Sequence, residues 1–324
     1  MCTAVAYNSN SLYFGRTLDN DFSYNEEVTI TPRNFVFRFR NRAEIKNHFA
    51  IIGMASVCEN YPLYYDAMNE AGLCMAGLNF VGNAKYSERI HGKENIAQFE
   101  LIPWILSQCK NITEAINLLE LTNITRDVFS SDLPVAELHW IIADKKRAIT
   151  VESVEEGLKI YNNPVGVLTN NPPFECQLFS LNNYINLSPQ EPENKFSDKI
   201  NLNKYSRGMG AIGLPGDLSS QSRFIRAAFT NTNSVKGNNL TENISQFFHI
   251  INTVEQPMGS CILGNGRYEK TIYTSCCCAE EGIYCYTTYG NRQISAIKLN
   301  NENIESDKLI KYPLTVDEQI KYQN

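Results

Sequence analysis

Blocks of strand-like and helix-like patterning succeed one another along this chain in an order that few architectures satisfy. Residues 2–7 and 12–17 carry strand-type sequence on either side of Asn8-Ser9-Asn10, a turn-forming tripeptide, and read as a β-hairpin. Residues 27–30, 35–39 and 49–55 continue as strands, and 64–69 and 73–79 flank Glu70-Ala71-Gly72 as a second hairpin. Helical periodicity then takes over in 96–109, where Pro103 either kinks the helix or marks its true start, and in 113–121, with Thr113 as cap. Residues 138–144 and 148–153 form a further hairpin around Lys145-Lys146-Arg147, continued by 158–162. Residues 189–203, rich in Pro and Asn, read as a long loop. Two helices follow at 221–230 and 240–254, and strands at 270–279, 282–289 and 293–299 close the chain. That alternation implies two sheets sandwiched between helical layers, an α+β architecture. No Pro/Gly/Ser-rich linker interrupts it, so residues 1–324 are read as one domain.

Composition narrows the function. With 43% hydrophobic and 20% charged residues, the chain can build a core that needs no metal or disulfide. Its 29 Lys and Arg are scattered against 35 Asp and Glu, for a net charge of −6. Without a basic stripe there is no electrostatic case for nucleic acid or for a membrane surface. The run CTAVAY meets Asn8-Ser9-Asn10 too early for a signal peptide, and no segment approaches the roughly 18 apolar residues of a membrane span. The chain is therefore expected in the cytoplasm. Its ten cysteines contain no C-x-x-C pair, and Cys276-Cys277-Cys278 would alternate faces if extended. They read mainly as small buried apolar residues in a reducing compartment, with no metal site. A rival reading builds a thiol redox or metal-binding protein on residues 276–278.

The Met-Cys start carries the chemistry. A small second residue permits removal of Met1, which would leave Cys2 with a free α-amine. An α-amine of pKa about 7.7–8.0 beside a thiol of about 8.5 places a nucleophile and its base on one residue, with no need of a histidine. The amine accepts the thiol proton and later protonates a leaving amine. An enzyme terminus must also be held, and this one enters a hairpin at once. Across that hairpin lie Arg16 and Asp19, in FGRTLD. Arg16 there would favour the thiolate, and Asp19 would accept a hydrogen bond from the amine.

The start MCTAVAY, followed by FGRTLD, YPLYYDAMNEAGLCMAGLNF, ELHWIIAD, VGVLTNNP, IGLPGDLSSQSRFIR and YTSCCCAEEGIYCYTTY, resembles the choloylglycine hydrolase family in family order and over nearly the whole chain. That family groups bile salt hydrolases with penicillin V acylases. The resemblance implies an amino-terminal-nucleophile fold of four layers, αββα, with no cofactor. It matches Cys2 to the nucleophile and Arg16 and Asp19 to the residues that tune the thiol and orient the amine. Asn79, in GLNF, and Asn170, in LTNN, match the oxyanion-stabilising positions, and Arg223, in QSRFIR, the remaining active-site arginine.

The resemblance also bears on the substrate. Asn79 favours a bile salt hydrolase over a penicillin V acylase, where Tyr is commoner at this position. Leu18, Cys58, Tyr65, Phe129 and Leu133 fall at places that line the apolar pocket a steroid acid needs. Gly208-Met209-Gly210 leaves room for a conjugate without a sulfonate partner, which favours glycine over taurine. The 189–203 loop corresponds to the family's assembly region and implies a homotetramer.

Overall fold

The opening hairpin forms as the sequence implies. In a computed structural model describing residues 1–264 and 266–324, Cys2–Asn8 and Leu12–Asn20 pair antiparallel, with Cys2 opposite Leu18 and Ala4 opposite Arg16. This hairpin lies inside a six-stranded sheet ordered Val167–Leu168, Cys2–Asn8, Leu12–Asn20, Lys270–Cys278, Ile283–Thr288 and Asn291–Lys298. An eight-stranded sheet runs Gly157–Asn162, Ala148–Val154, Leu138–Ala143, Cys74–Asn79, Tyr61–Asn69, Ile51–Cys58, Glu27–Thr31 and Ile310–Pro313. Neighbours in both sheets are antiparallel.

The layers follow from which side chains share a core. Strand residues alternate between faces, so Cys74, Ala76 and Leu78 join one core while Met75 joins another. The first core lies between the sheets and extends to α4 (Ser220–Asn233) and α5 (Leu240–Ile251), which bring Phe224, Phe247 and Ile251. The second packs the outer face of the eight-stranded sheet on α1 (Leu101–Leu106) and α2 (Ile112–Leu121), through Trp104, Ile105 and Leu119. The short helix α3 (Phe174–Ser180) adds Phe174 to the first core. Helices, sheet, sheet, helices give the αββα order. Among the described residues no helix is long and apolar enough to cross a membrane.

Local departures from the sequence reading have physical causes. Residues 96–109 are not one helix. Glu94–Ala97 is a strand parallel to Thr122–Thr125, Gln98–Glu100 is a 3-10 turn, and α1 begins at Leu101. Pro103 thus sits in the first turn, where a missing N–H costs nothing. α2 is capped by Asn111, whose side chain accepts the Glu114 N–H at 3.0 Å, not by Thr113. Residues 35–39 form no strand: Phe37 makes an isolated bridge to Ile45, and the Phe35, Phe37 and Phe39 rings pack on one another in the second core. Their alternation buried a face without recruiting a strand partner. The helix expected to 254 stops at Ile251 and continues as the 3-10 turn Asn252–Val254. Residues 189–203 carry neither helix nor strand, as expected.

Gly15 marks the tightest contact inside the six-stranded sheet. A Cβ there would lie 1.9 Å from the Ser275 carbonyl oxygen, a backbone atom that cannot swing away. Gly15→Ala should therefore lower stability by about 3 kcal/mol in urea unfolding, the upper end for overpacking; an unchanged midpoint would contradict this packing.

Candidate active site

Cys2 opens its strand with the side chain 3% exposed, and Arg16, in the neighbouring strand, is 1% exposed. The Arg16 guanidinium donates from Nη2 to Cys2 Sγ at 2.5 Å and from Nη1 to the carbonyls of Gly77, at 2.6 Å, and Tyr65, at 3.3 Å. It thus crosses from the six-stranded sheet to the eight-stranded one. Burial opposes its charge, but the Cys2 thiol, Tyr273, Asp66 and Asp19 outweigh that and raise its pKa. Asp66, buried in the facing sheet, accepts the hydroxyls of Tyr273 and Tyr284, each at 2.7 Å. Burial pushes the Asp66 carboxyl up, and Arg16 pulls it back.

Arg223 reaches the same residue from the other side. The spacing of Arg223 and Ala227 puts both on the buried face of α4. Nη1 donates to the Cys2 carbonyl and to Thr3 Oγ1, both at 2.6 Å, and Nη2 to Asn170 Oδ1 at 2.9 Å. Asn170 Oδ1 also accepts the Cys2 N–H at 2.9 Å, while its Nδ2 donates to the Asn79 carbonyl at 2.8 Å. Cys2, Arg16, Arg223, Asn170 and Asn79 therefore form one connected group. Asp19 joins it through its main chain: its N–H donates to the Met1 carbonyl at 2.8 Å, and its carbonyl accepts the Met1 ammonium at 2.6 Å. The Asp19 carboxylate accepts from Thr271 at 2.7 Å, Thr17 at 3.1 Å and Gln256 at 3.2 Å. Burial raises its pKa, against Arg223 and the amino terminus.

The five residues placed at a substrate pocket divide into two groups. Leu18 pairs directly with Cys2, and Tyr65 meets Arg16 through its carbonyl while its hydroxyl bonds Ser56 at 2.9 Å. Cys58 pairs with Tyr61, whose ring lies 6.0 Å from that of Phe129. Phe129 in turn meets Phe99 and carries the Arg40 guanidinium 5.1 Å above its ring. Leu133 sits in a small bridge with Ser130 and is half-buried. Leu18 is thus paired with Cys2 and Tyr65 is bonded to Arg16, and the other three are joined to neither.

Two supports were not foreseen from the sequence. Glu269 holds the Met1 ammonium. His139, fully buried, stacks on Phe80 with ring centres 4.3 Å apart, places Nε2 2.8 Å from the Thr169 carbonyl and Nδ1 3.0 Å from Glu152. A carbonyl only accepts, so Nε2 carries a proton. The imidazole thereby ties the residue after Asn79 to the residue before Asn170. A lone histidine in the apolar stretch LHWIIA was the available signal. Elsewhere, the thiols of Cys276 and Cys277 are pushed up by burial and that of Cys278 by its bond to Cys276, which leaves them weak nucleophiles.

Replacing Arg16 by the similarly long, uncharged Met removes the cation from the sulfur. Arg16→Met should slow iodoacetamide labelling of Cys2 at pH 7 by about tenfold, since the guanidinium that donates to the sulfur also stabilises the anionic form that reacts. Undiminished labelling in a folded variant would separate the guanidinium from the thiol's reactivity.

Residues 2–312 match the family described as linear amide C–N hydrolases, choloylglycine hydrolase family. A bile salt hydrolase/transferase from Lactiplantibacillus plantarum is 53% identical over 319 residues, 98% of this chain and 98% of that protein. The structure of the mutant C2A conjugated bile acid hydrolase from Clostridium perfringens superposes with a TM-score of 0.93 at 37% identity, covering 100% of both chains. A penicillin V acylase from Agrobacterium tumefaciens shares the fold, with a TM-score of 0.75 at 20% identity over 97% of this chain and 92% of that one. With its sheets, its buried Cys2 and this full-length likeness, the chain belongs to the choloylglycine hydrolase family of linear amide C–N hydrolases.

Proposed function

We propose that the chain cleaves the amide bond of glycine- or taurine-conjugated bile salts, releasing the free bile acid and the amino acid, with Cys2 as amino-terminal nucleophile after loss of Met1. The observation that carries this reading is the Arg16 guanidinium donating to a buried Cys2 sulfur. The α-amine takes the thiol proton, and the thiolate attacks the amide carbonyl. Asn79 and the second N–H of Asn170 Nδ2 steady the resulting oxyanion, each donor contributing about 3–4 kcal/mol. The α-ammonium then protonates the leaving amine, and a thioester to Cys2 remains. Water, activated by the same amine, hydrolyses the thioester and frees the sulfur. An amine arriving in place of water would give acyl transfer, the second activity in the name of the L. plantarum relative. Asp19 orients the amine, and Arg223 holds the Cys2 carbonyl and Asn170 in place.

The substrate class rests on the bile salt and bile acid hydrolases that this chain resembles and on the apolar Leu18 beside Cys2. The small residues Gly208 and Gly210 favour the glycine conjugate. In the 189–203 segment Phe196 is 79% exposed, with Tyr205 just beyond it at 82%. Such apolar exposure supports assembly into a homotetramer through this segment. We place the enzyme in the cytoplasm and read residues 1–324 as one catalytic unit.

Intact mass of an active preparation should lack Met1; an active chain that retains it would remove the α-amine from the chemistry. Cys2→Ala should abolish turnover, and Cys2→Ser should lose at least about a hundredfold in kcat/KM, because a hydroxyl is far less acidic than a thiol. Glycocholate and penicillin V assayed side by side test the substrate class: faster cleavage of penicillin V would make the chain an acylase.

A further inference from the structure

Glu269 stands just before the strand Lys270–Cys278, at the end of a turn in which its N–H donates to the Cys261 carbonyl at 3.0 Å. Its side chain is only 9% exposed, and one of its oxygens lies 3.7 Å from Cys261 Sγ. The other oxygen holds the Met1 ammonium, which the Asp19 carbonyl also accepts. A nearly buried carboxylate is costly to leave without a cation. Once Met1 departs, that cation is gone, and a new ammonium appears on the next nitrogen along the chain. Consecutive backbone nitrogens lie roughly 3–4 Å apart, as the 3.8 Å spacing of Cα atoms requires, so the Cys2 ammonium forms within about 6 Å of the Glu269 carboxylate.

Glu269 is the carboxylate that touches the amino-terminal ammonium directly. Arg16 meets the Cys2 sulfur and Arg223 the Cys2 carbonyl, and both disfavour a third positive charge. The Asp19 carboxylate also attracts the amino terminus and Arg223, but its side-chain hydrogen bonds go to Thr17, Thr271 and Gln256, while Asp66 is held by Tyr273 and Tyr284 beyond Arg16. Asp21 and Arg267 form an ion pair in the neighbouring turn. Cys261 contributes a thiol on the far side of Glu269.

We infer that Glu269 is the counter-charge of the Cys2 α-ammonium in the processed enzyme, a positioning residue that sets the pH range over which amine and thiol work. The inference rests on the reading that Met1 is removed. A unit charge at about 6 Å in a partly screened site changes a proton equilibrium by about one pH unit. Removing a negative charge lowers the affinity of every nearby group for protons, so both limbs of the activity profile move the same way.

The test uses the wild type, Glu269→Gln and Glu269→Asp, each checked by intact mass for loss of Met1. Two readouts are followed from pH 5 to pH 10: iodoacetamide labelling of Cys2 and kcat/KM for glycocholate. In Glu269→Gln the labelling midpoint and both limbs should fall by about one pH unit, and Glu269→Asp should restore most of that shift. Unmoved profiles in processed Glu269→Gln overturn the inference and assign Glu269 to holding Met1 alone. Should Glu269→Gln fail to fold or keep Met1, Glu269→Asp decides. Its carboxylate is one methylene further back, so a smaller shift in the same direction supports the counter-charge and no shift overturns it. Labelling needs no substrate. A shifted midpoint in a chain that does not cleave glycocholate would sink the bile salt reading and leave Glu269 in its role.

Discussion

The buried guanidinium of Arg16 is the contact on which the rest of the site depends. One side chain joins the nucleophilic sulfur to two carbonyls of the opposite sheet, at Gly77 and Tyr65. A charge so placed costs several kcal/mol in lost hydration unless its surroundings replace the water. Here the replacement comes from both sheets: carbonyls and Asp66 from one, Cys2 and the Tyr273 hydroxyl from the other. Sheet-to-sheet packing and the sulfur's bond to a cation are therefore made by one side chain, and the distance between the sheets also sets the sulfur's surroundings.

The two arginines divide the labour. Arg16 addresses the sulfur, whereas Arg223 binds the main chain of Cys2 and turns Asn170 Oδ1 toward the Cys2 nitrogen. Asn170 is fixed from behind as well, since its own N–H donates to Ser220 Oγ at 2.8 Å and its neighbour Thr169 is held by His139. A donor locked in this way needs little reorganisation when charge develops on a substrate oxygen, which is the condition for strong electrostatic stabilisation.

Much of this was legible in the sequence, and the failures have definable causes. The hairpin that sets Arg16 on the strand next to that of Cys2 was readable because Asn8-Ser9-Asn10 interrupts two strand-like runs. Four-residue spacing on α4 would place Arg223 beside Ala227, but a charge on a helix ordinarily faces water, so only the family likeness singled it out. Residues 96–109 misled because Ile96 satisfies a helical stripe and a strand equally well, and only pairing with Thr122–Thr125 decides. Phe129 and Leu133 lie outside helix and strand, where no periodicity ties a side chain to a place, so only the family likeness singled them out. Glu269 was invisible for a different reason: its partner is the first residue of the chain, and nothing in a sequence links positions 268 residues apart.

The strand bearing Cys2 lies between neighbours contributed by widely separated parts of the chain, residues 12–20 and 167–168. Its carbonyl waits on Arg223, and the Arg16 main-chain N–H on Ser275 Oγ. As the ribosome delivers residues in order, the second side chain made is among the last to find its surroundings. Until then the sulfur lacks the guanidinium that meets it in the folded chain. The setting of the sulfur is complete only when some 275 residues have been delivered, because Ser275 holds the main chain of the arginine that meets it.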